Sequence, residues 1–168
     1  MSVLLSPAPY SMVSSWKEFE VSSHAKRLSE VKKYIPSSAS LSVQNNLGAH
    51  FSERLFVYTF PFSPDVVDYV LIDAYDPNPI VRFFPRRRNF MFNTSLNTLP
   101  FPLEYYNEQV LELFNNKDYG VVYYSSDGYI LFQRNAKLRK NTEAMQVFTA
   151  NMGKILDSYK NKLRDIKQ

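Results

Sequence analysis

The stretch SVQNNLGAHFSER, residues 42–54, gathers more reactive side chains than its length would suggest. Gln44, Asn45 and Asn46 offer planar amides, His50 is one of two imidazoles in the chain, and Ser52, Glu53 and Arg54 follow closely. Histidine exchanges protons near neutral pH, so His50 would act as acid or base with Ser52, Glu53 or Asp73 as partner. The structural alternative is that the amides cap a turn and a short helix while His50 makes a fixed hydrogen bond. No nucleophile motif accompanies His50, which favours that alternative. A His50–Glu53 metal pair lacks a third ligand, so no metal site is expected.

A second concentration is RFFPRRR, residues 82–88. Arg82, Arg86, Arg87 and Arg88, interleaved with two phenylalanines, form a pattern that grips phosphates bidentately while the rings enter a lipid interface. The alternative is a solvated loop whose rings fold back onto the core. The surrounding segment 76–101 is rich in Pro, Asn and Arg, and connections of that length in compact domains commonly carry function. Lysines are spread over the first and last helical segments without a stripe, so nucleic acid is not an expected partner.

Composition removes several classes of chemistry. The chain has no cysteine, which excludes disulfides, thiolate nucleophiles and Cys-ligated metals. Its four glycines, at 48, 120, 128 and 153, cannot write a phosphate-cradling GxGxxG or GxxxxGK[ST] loop, and no cofactor is expected. Net charge is +4, a mild preference for anionic neighbours. No apolar run approaches the roughly 18 residues that cross a bilayer, and the opening MSVLLSPAPY lacks the charged start and apolar core of a signal peptide.

Periodicity supplies the elements that must hold these residues. Residues 1–16 read as an irregular lead-in and 17–168 as one α/β domain. Val21, Ala25, Leu28, Val31 and Ile35 trace a helical face, capped by Ser22 or Ser23 and stopped by Pro36. Residues 39–44, 54–60 and 67–75 read as strands, nearly continuous in apolar character and so covered on both faces. Gln44 to Asn46 and Asp73 then fall at strand ends, where open α/β sheets collect ligands. Pro102 opens a second helix running to about Asn115, with Leu103, Tyr106, Val110 and Leu113 as its stripe. YGVVYYSSDGYILFQR, residues 119–134, reads as a hairpin turning at Ser126-Asp127-Gly128, and Thr142 to about Ile166 as a long helix. The expected fold is a small three-layer α/β sandwich. Its mixed, mostly parallel sheet has about five strands, ending in an antiparallel hairpin and a long helix.

Residues 34–61, YIPSSASLSVQNNLGAHFSERLFVYTFP, carry a resemblance. They are similar to the C-terminal soluble domain of a family of predicted multi-spanning membrane proteins, the domain-of-unknown-function family numbered two thousand and seventy-nine. Ser42, Gln44, Asn45, Asn46, Leu47, His50, Ser52 and Arg54 match its motif, followed by Phe60-Pro61. DYVLIDAY from Asp68, with Asp73 in place, resembles its next strand, and residues 119–134 its closing hairpin. Ala49 stands where Pro is commoner, Phe51 where Leu is usual, and Glu53 precedes Arg54; the first change removes a rigid turn element. The likeness spans roughly residues 5–135 as spaced short motifs.

The resemblance implies that LLSPAPYS is the exit from a membrane-spanning region of the parent protein, which would be this domain's partner. The parents look similar to membrane glycosyltransferases that use polyprenyl-phosphate sugars, with catalytic carboxylates in the membrane part and this domain on the extracytoplasmic face of the plasma membrane. The expected role is accessory rather than catalytic, with residues 44–54 and Asp73 lining a functional edge and the arginine run meeting anionic lipid or polyprenyl phosphate. The alternatives are a stand-alone binding module for an anionic small molecule or nucleotide and, last, a hydrolase built on His50 and Asp73.

Overall fold

The computed structural model describes residues 22–61, 66–77 and 102–166. The lead-in 1–16 and the arginine run, with Arg82, Arg86, Arg87 and Arg88, lie outside the described residues.

Helix α1 (Ser23–Lys32) begins where expected, because the Ser22 hydroxyl accepts the Ala25 N–H at 3.1 Å and so satisfies one of the orphan donors of the first turn. Strand β1 (Leu41–Val43) follows, then the short helix α2 (Asn45–Gly48), a 3-10 turn at Ala49–Phe51, and strand β2 (Val57–Thr59). Strand β3 (Tyr69–Asp73), helix α3 (Pro102–Asn115), strands β4 (Tyr119–Tyr124) and β5 (Tyr129–Arg134) and helix α4 (Asn141–Ile166) complete the described elements. The sheet runs β2-β1-β3-β5-β4. Strand β1 pairs in parallel with β2 and β3, while β5 is antiparallel to both β3 and β4. This is the expected mixed sheet of five strands with a closing hairpin and a long terminal helix. Among the described residues no helix is long and apolar enough to cross a membrane.

Alternation along the strands divides the core in two. Leu41, Val43, Tyr69, Leu71, Tyr129 and Leu131 pack beneath Leu28 and Val31 of α1, Ile35 just beyond it, and Leu47 and Phe51 of the α2 segment. Val70, Ile72, Ile130 and Phe132 face the other way, against Leu103, Tyr106, Val110 and Leu113 of α3 and Ala144, Phe148 and Met152 of α4. The central strands therefore carry apolar residues at consecutive positions because both faces are covered. Each fully buried aliphatic or Phe side chain contributes about 1.5–3 kcal/mol relative to exposure.

Two local devices set the hairpin. Ser125 and Gly128 close its turn through the Gly128 N–H to the Ser125 carbonyl at 3.1 Å, and Gly128 takes φ +111°, open at no steric cost only to glycine. In β4 a bulge between Val121 and Tyr123 places Val122 and Tyr123 together on the α1 side. There Asn141 and Lys140 seal the outer edge, accepting from the Val121 N–H at 2.8 Å and donating to the Val122 carbonyl at 3.0 Å respectively.

Candidate functional site

The carboxyl ends of β1 and β3 lie side by side, and Asp73 closes β3 there on the face that carries Tyr69 and Leu71. Its side chain points to α1 and the residue is 2% exposed. A carboxylate so buried needs several donors. Oδ1 accepts the backbone N–H groups of Tyr75 at 2.9 Å and Asp76 at 3.3 Å, which folds residues 73–76 into a tight turn. Oδ2 lies 2.7 Å from His24 Nε2. The Asp73 N–H donates to Gln44 Oε1, so a side chain continues the parallel ladder where the β1 backbone leaves the sheet.

His24 reaches this point because the Ser22 cap starts α1 directly above the end of β3. Its ring stacks on Tyr129 with centroids 4.2 Å apart and planes 8° from parallel, and Tyr75 leans against it at 4.9 Å. Tyr129 is placed by register, being the direct cross-strand partner of Asp73. On its other edge His24 Nδ1 is 3.3 Å from Oδ2 of Asp127, in the β4–β5 turn. Both ring nitrogens thus face carboxylate oxygens, and only the doubly protonated ring donates to both at once. Arg27, one turn further along α1, puts Nε 2.9 Å from the same Asp127 oxygen, as an ion pair whose N–H is not aimed along the contact. Burial first, and then the negative charge of Asp73, Asp127 and Asp76, push the Tyr129 hydroxyl well above its ordinary pKa. Burial and Asp73 act in the same direction on Tyr106, on the opposite face of the sheet.

The stretch 42–54 divides between the two ends of α1. Gln44 and Asn46 belong to the Asp73 end: Asn46 Nδ2 donates to the Asp76 carbonyl at 3.2 Å, and Gln44, 2% exposed, keeps Nε2 buried without a partner among the described residues. Asn45 is exposed at the start of α2. His50 is exposed, its carbonyl accepts from Lys32 Nζ, and its ring has no partner among the described residues. Lys32 is eight residues from His24, about 12 Å of helix rise, so His50 sits at the opposite end of α1 from Asp73. Ser52 Oγ donates to the Ala49 carbonyl at 3.1 Å, a local turn bond. Arg54 donates to the carbonyls of Ile35 at 2.8 Å and Pro36 at 2.5 Å, closing the chain beyond α1, and lies 5.8 Å from the Phe51 ring.

The structure therefore brings together Gln44, Asn46 and Asp73 and sets His50, Ser52 and Arg54 apart from them. The imidazole beside Asp73 is His24, and Arg27, Tyr75, Asp127 and Tyr129 complete its surroundings. None of these five stands out in sequence: Asp127 reads as turn punctuation, and the helical pattern does not set His24 or Arg27 apart. One signal was available: a carboxylate ending a buried strand needs a cation or donor, and the helix preceding β1 returns its first turn to that end.

No group of three metal-ligating side chains occurs among the described residues. His24 faces a carboxylate at each nitrogen, and Asp73 has a partner at each oxygen. The arrangement fixes the shape and polarity of a sheet edge. Comparison with family models, curated proteins and solved structures finds no match to this chain.

Proposed function

We propose that this chain is a non-catalytic, extracytoplasmic α/β domain of an integral membrane protein, accessory to a glycosyltransferase-like membrane region that acts on lipid-linked sugars. Support comes from one observation above others: Asp73, the buried carboxylate at this edge, is held by His24 and by the N–H groups of Tyr75 and Asp76. A domain that shapes a cavity needs such a locked edge. The motif residues on which the family likeness rests also build one connected unit, β1–α2–β2, with Gln44 fixing β3 and Arg54 fixing the end of α1. Arg82, Arg86, Arg87 and Arg88 would meet headgroups or a lipid phosphate. The test is sedimentation with anionic liposomes, with and without polyprenyl phosphate, for the parent chain and for a variant carrying Arg86→Ala, Arg87→Ala and Arg88→Ala. Binding lost in the variant supports the proposal. Equal binding removes the arginine contact, and a native reading frame starting at Met1 removes the membrane parent.

A second reading, a stand-alone module for an anionic small molecule or nucleotide, draws on the Gln44 amide, whose Nε2 donor is buried without a partner among the described residues. Calorimetric titration with inorganic phosphate and a nucleoside triphosphate decides it. Binding weakened by Gln44→Leu would support this second reading, and no heat with either ligand would end it.

A further inference from the structure

Helix α1 is anchored unevenly. Leu28, Val31 and the following Ile35 are buried, whereas no residue from Ser22 to Arg27 is. The first turn and a half is held instead by two half-buried side chains, His24 and Arg27, and both reach toward Asp127. His24 also reaches Asp73, so one ring ties three elements together: α1, the end of β3, and the β4–β5 turn.

We propose that His24 is a proton-operated latch that fixes the first turn of α1 to the sheet edge when the ring is doubly protonated and slackens when it loses a proton. A neutral imidazole has one N–H and one lone pair. At 2.7 Å the Asp73 contact is the tighter and retains the proton. Nδ1 then turns a lone pair toward Asp127 Oδ2 at 3.3 Å, and an attraction becomes a repulsion. The charged groups at the ring are Asp73, at Nε2 from the end of β3, and Asp127, at Nδ1 from the turn, with Arg27 of α1 on the same Asp127 oxygen. Tyr129 and Tyr75 contribute ring faces, and Asn46 of α2 approaches as a neutral amide bonded to the Asp76 carbonyl. The latch is therefore closed at low pH and opens as pH rises. Arg27 keeps its own ion pair to Asp127, so opening slackens the first turn of α1 ahead of Arg27 without unfolding the core. This latch goes beyond the accessory role proposed above and does not depend on it.

The test is hydrogen exchange by NMR across roughly pH 5 to 9, corrected for intrinsic exchange and read at the Ala25 and Lys26 amides. These two are bonded to the Ser22 hydroxyl and carbonyl. In the parent chain their protection should fall about tenfold or more as His24, followed by its ring proton shifts, loses its proton. In His24→Gln the protection should not change with pH. In Asp127→Ala, which removes both the His24 and the Arg27 contact, protection should be low at every pH and should not fall further as the ring titrates. Protection in the parent that stays flat through the ring's titration overturns the latch, and so does a pH-dependent fall that survives in His24→Gln. If His24→Gln does not fold, the parent and Asp127→Ala decide the matter alone.

Discussion

The side-chain carbonyl of Gln44 accepts the backbone N–H of Asp73, across 29 residues of sequence, at the point where β1 ends and β3 does not. A residue just beyond one strand thereby holds the last backbone donor of its neighbour. Deleting that acceptor leaves a buried N–H unpaired. Gln44→Leu should destabilise the fold by about 1–3 kcal/mol in urea unfolding. Equal stability in Gln44→Leu and the parent would mean that this bond contributes nothing.

Arg54 and His50 provide a contrast within one motif. Arg54→Ala strips donors from the Ile35 and Pro36 carbonyls and should cost about 1–3 kcal/mol in the same measurement. His50→Ala touches an exposed ring without a partner among the described residues and should change stability by less than about 0.5 kcal/mol. A large His50 effect with a small Arg54 effect would reverse the roles assigned to them.

Gly128 combines φ +111° with crowding, since a Cβ there would lie 2.5 Å from the Tyr75 backbone nitrogen. Gly128→Ala should therefore cost on the order of 2–3 kcal/mol. It should also shift the ring resonances of His24, because Tyr75 lies 4.9 Å from that ring. Unchanged His24 resonances would show that the turn and the edge are mechanically separate.

Alkaline titration followed by tyrosinate absorbance should reveal a delayed class. Burial, aided by Asp73, raises the hydroxyls of Tyr106 and Tyr129 above their ordinary value of 10.0. The unfolded chain gives up these protons near 10 and the folded chain later, so the folded state is favoured fully below that pH and loses this advantage as pH rises further. At least two tyrosines should remain un-ionised at about pH 11 until the chain unfolds. Simultaneous ionisation of all twelve, in a chain still folded by circular dichroism, would contradict the burial of both.

The fold was legible where signals are local. Ser22, Pro102 and Ser126-Asp127-Gly128 mark boundaries by backbone chemistry within a few residues, and the structure places α1, α3 and the hairpin turn accordingly. Residues 54–60 read as a strand, but β2 is only Val57–Thr59, because Arg54 is drawn to the end of α1 while Leu55 and Phe56 remain exposed. The bulge at Val122 has no sequence mark, since it answers to Asn141 and Lys140 on another element. The pairing of Asp73 was hidden for the same reason. Its partner is 49 residues away, whereas proximity in sequence to the amides drew attention to His50. Tertiary contacts between polar side chains leave no periodic trace.

Residues 44 to 54 work as a caliper on α1. One jaw is Gln44, set against Asp73 beneath the first turn, and the other is Arg54, closed on Ile35 and Pro36 past the last. Their span fixes how many residues the helix can hold. An insertion or deletion of one residue within α1 would move its length by about 1.5 Å and rotate its faces by about 100°, leaving both jaws mismatched. The length of this helix is gauged from outside it.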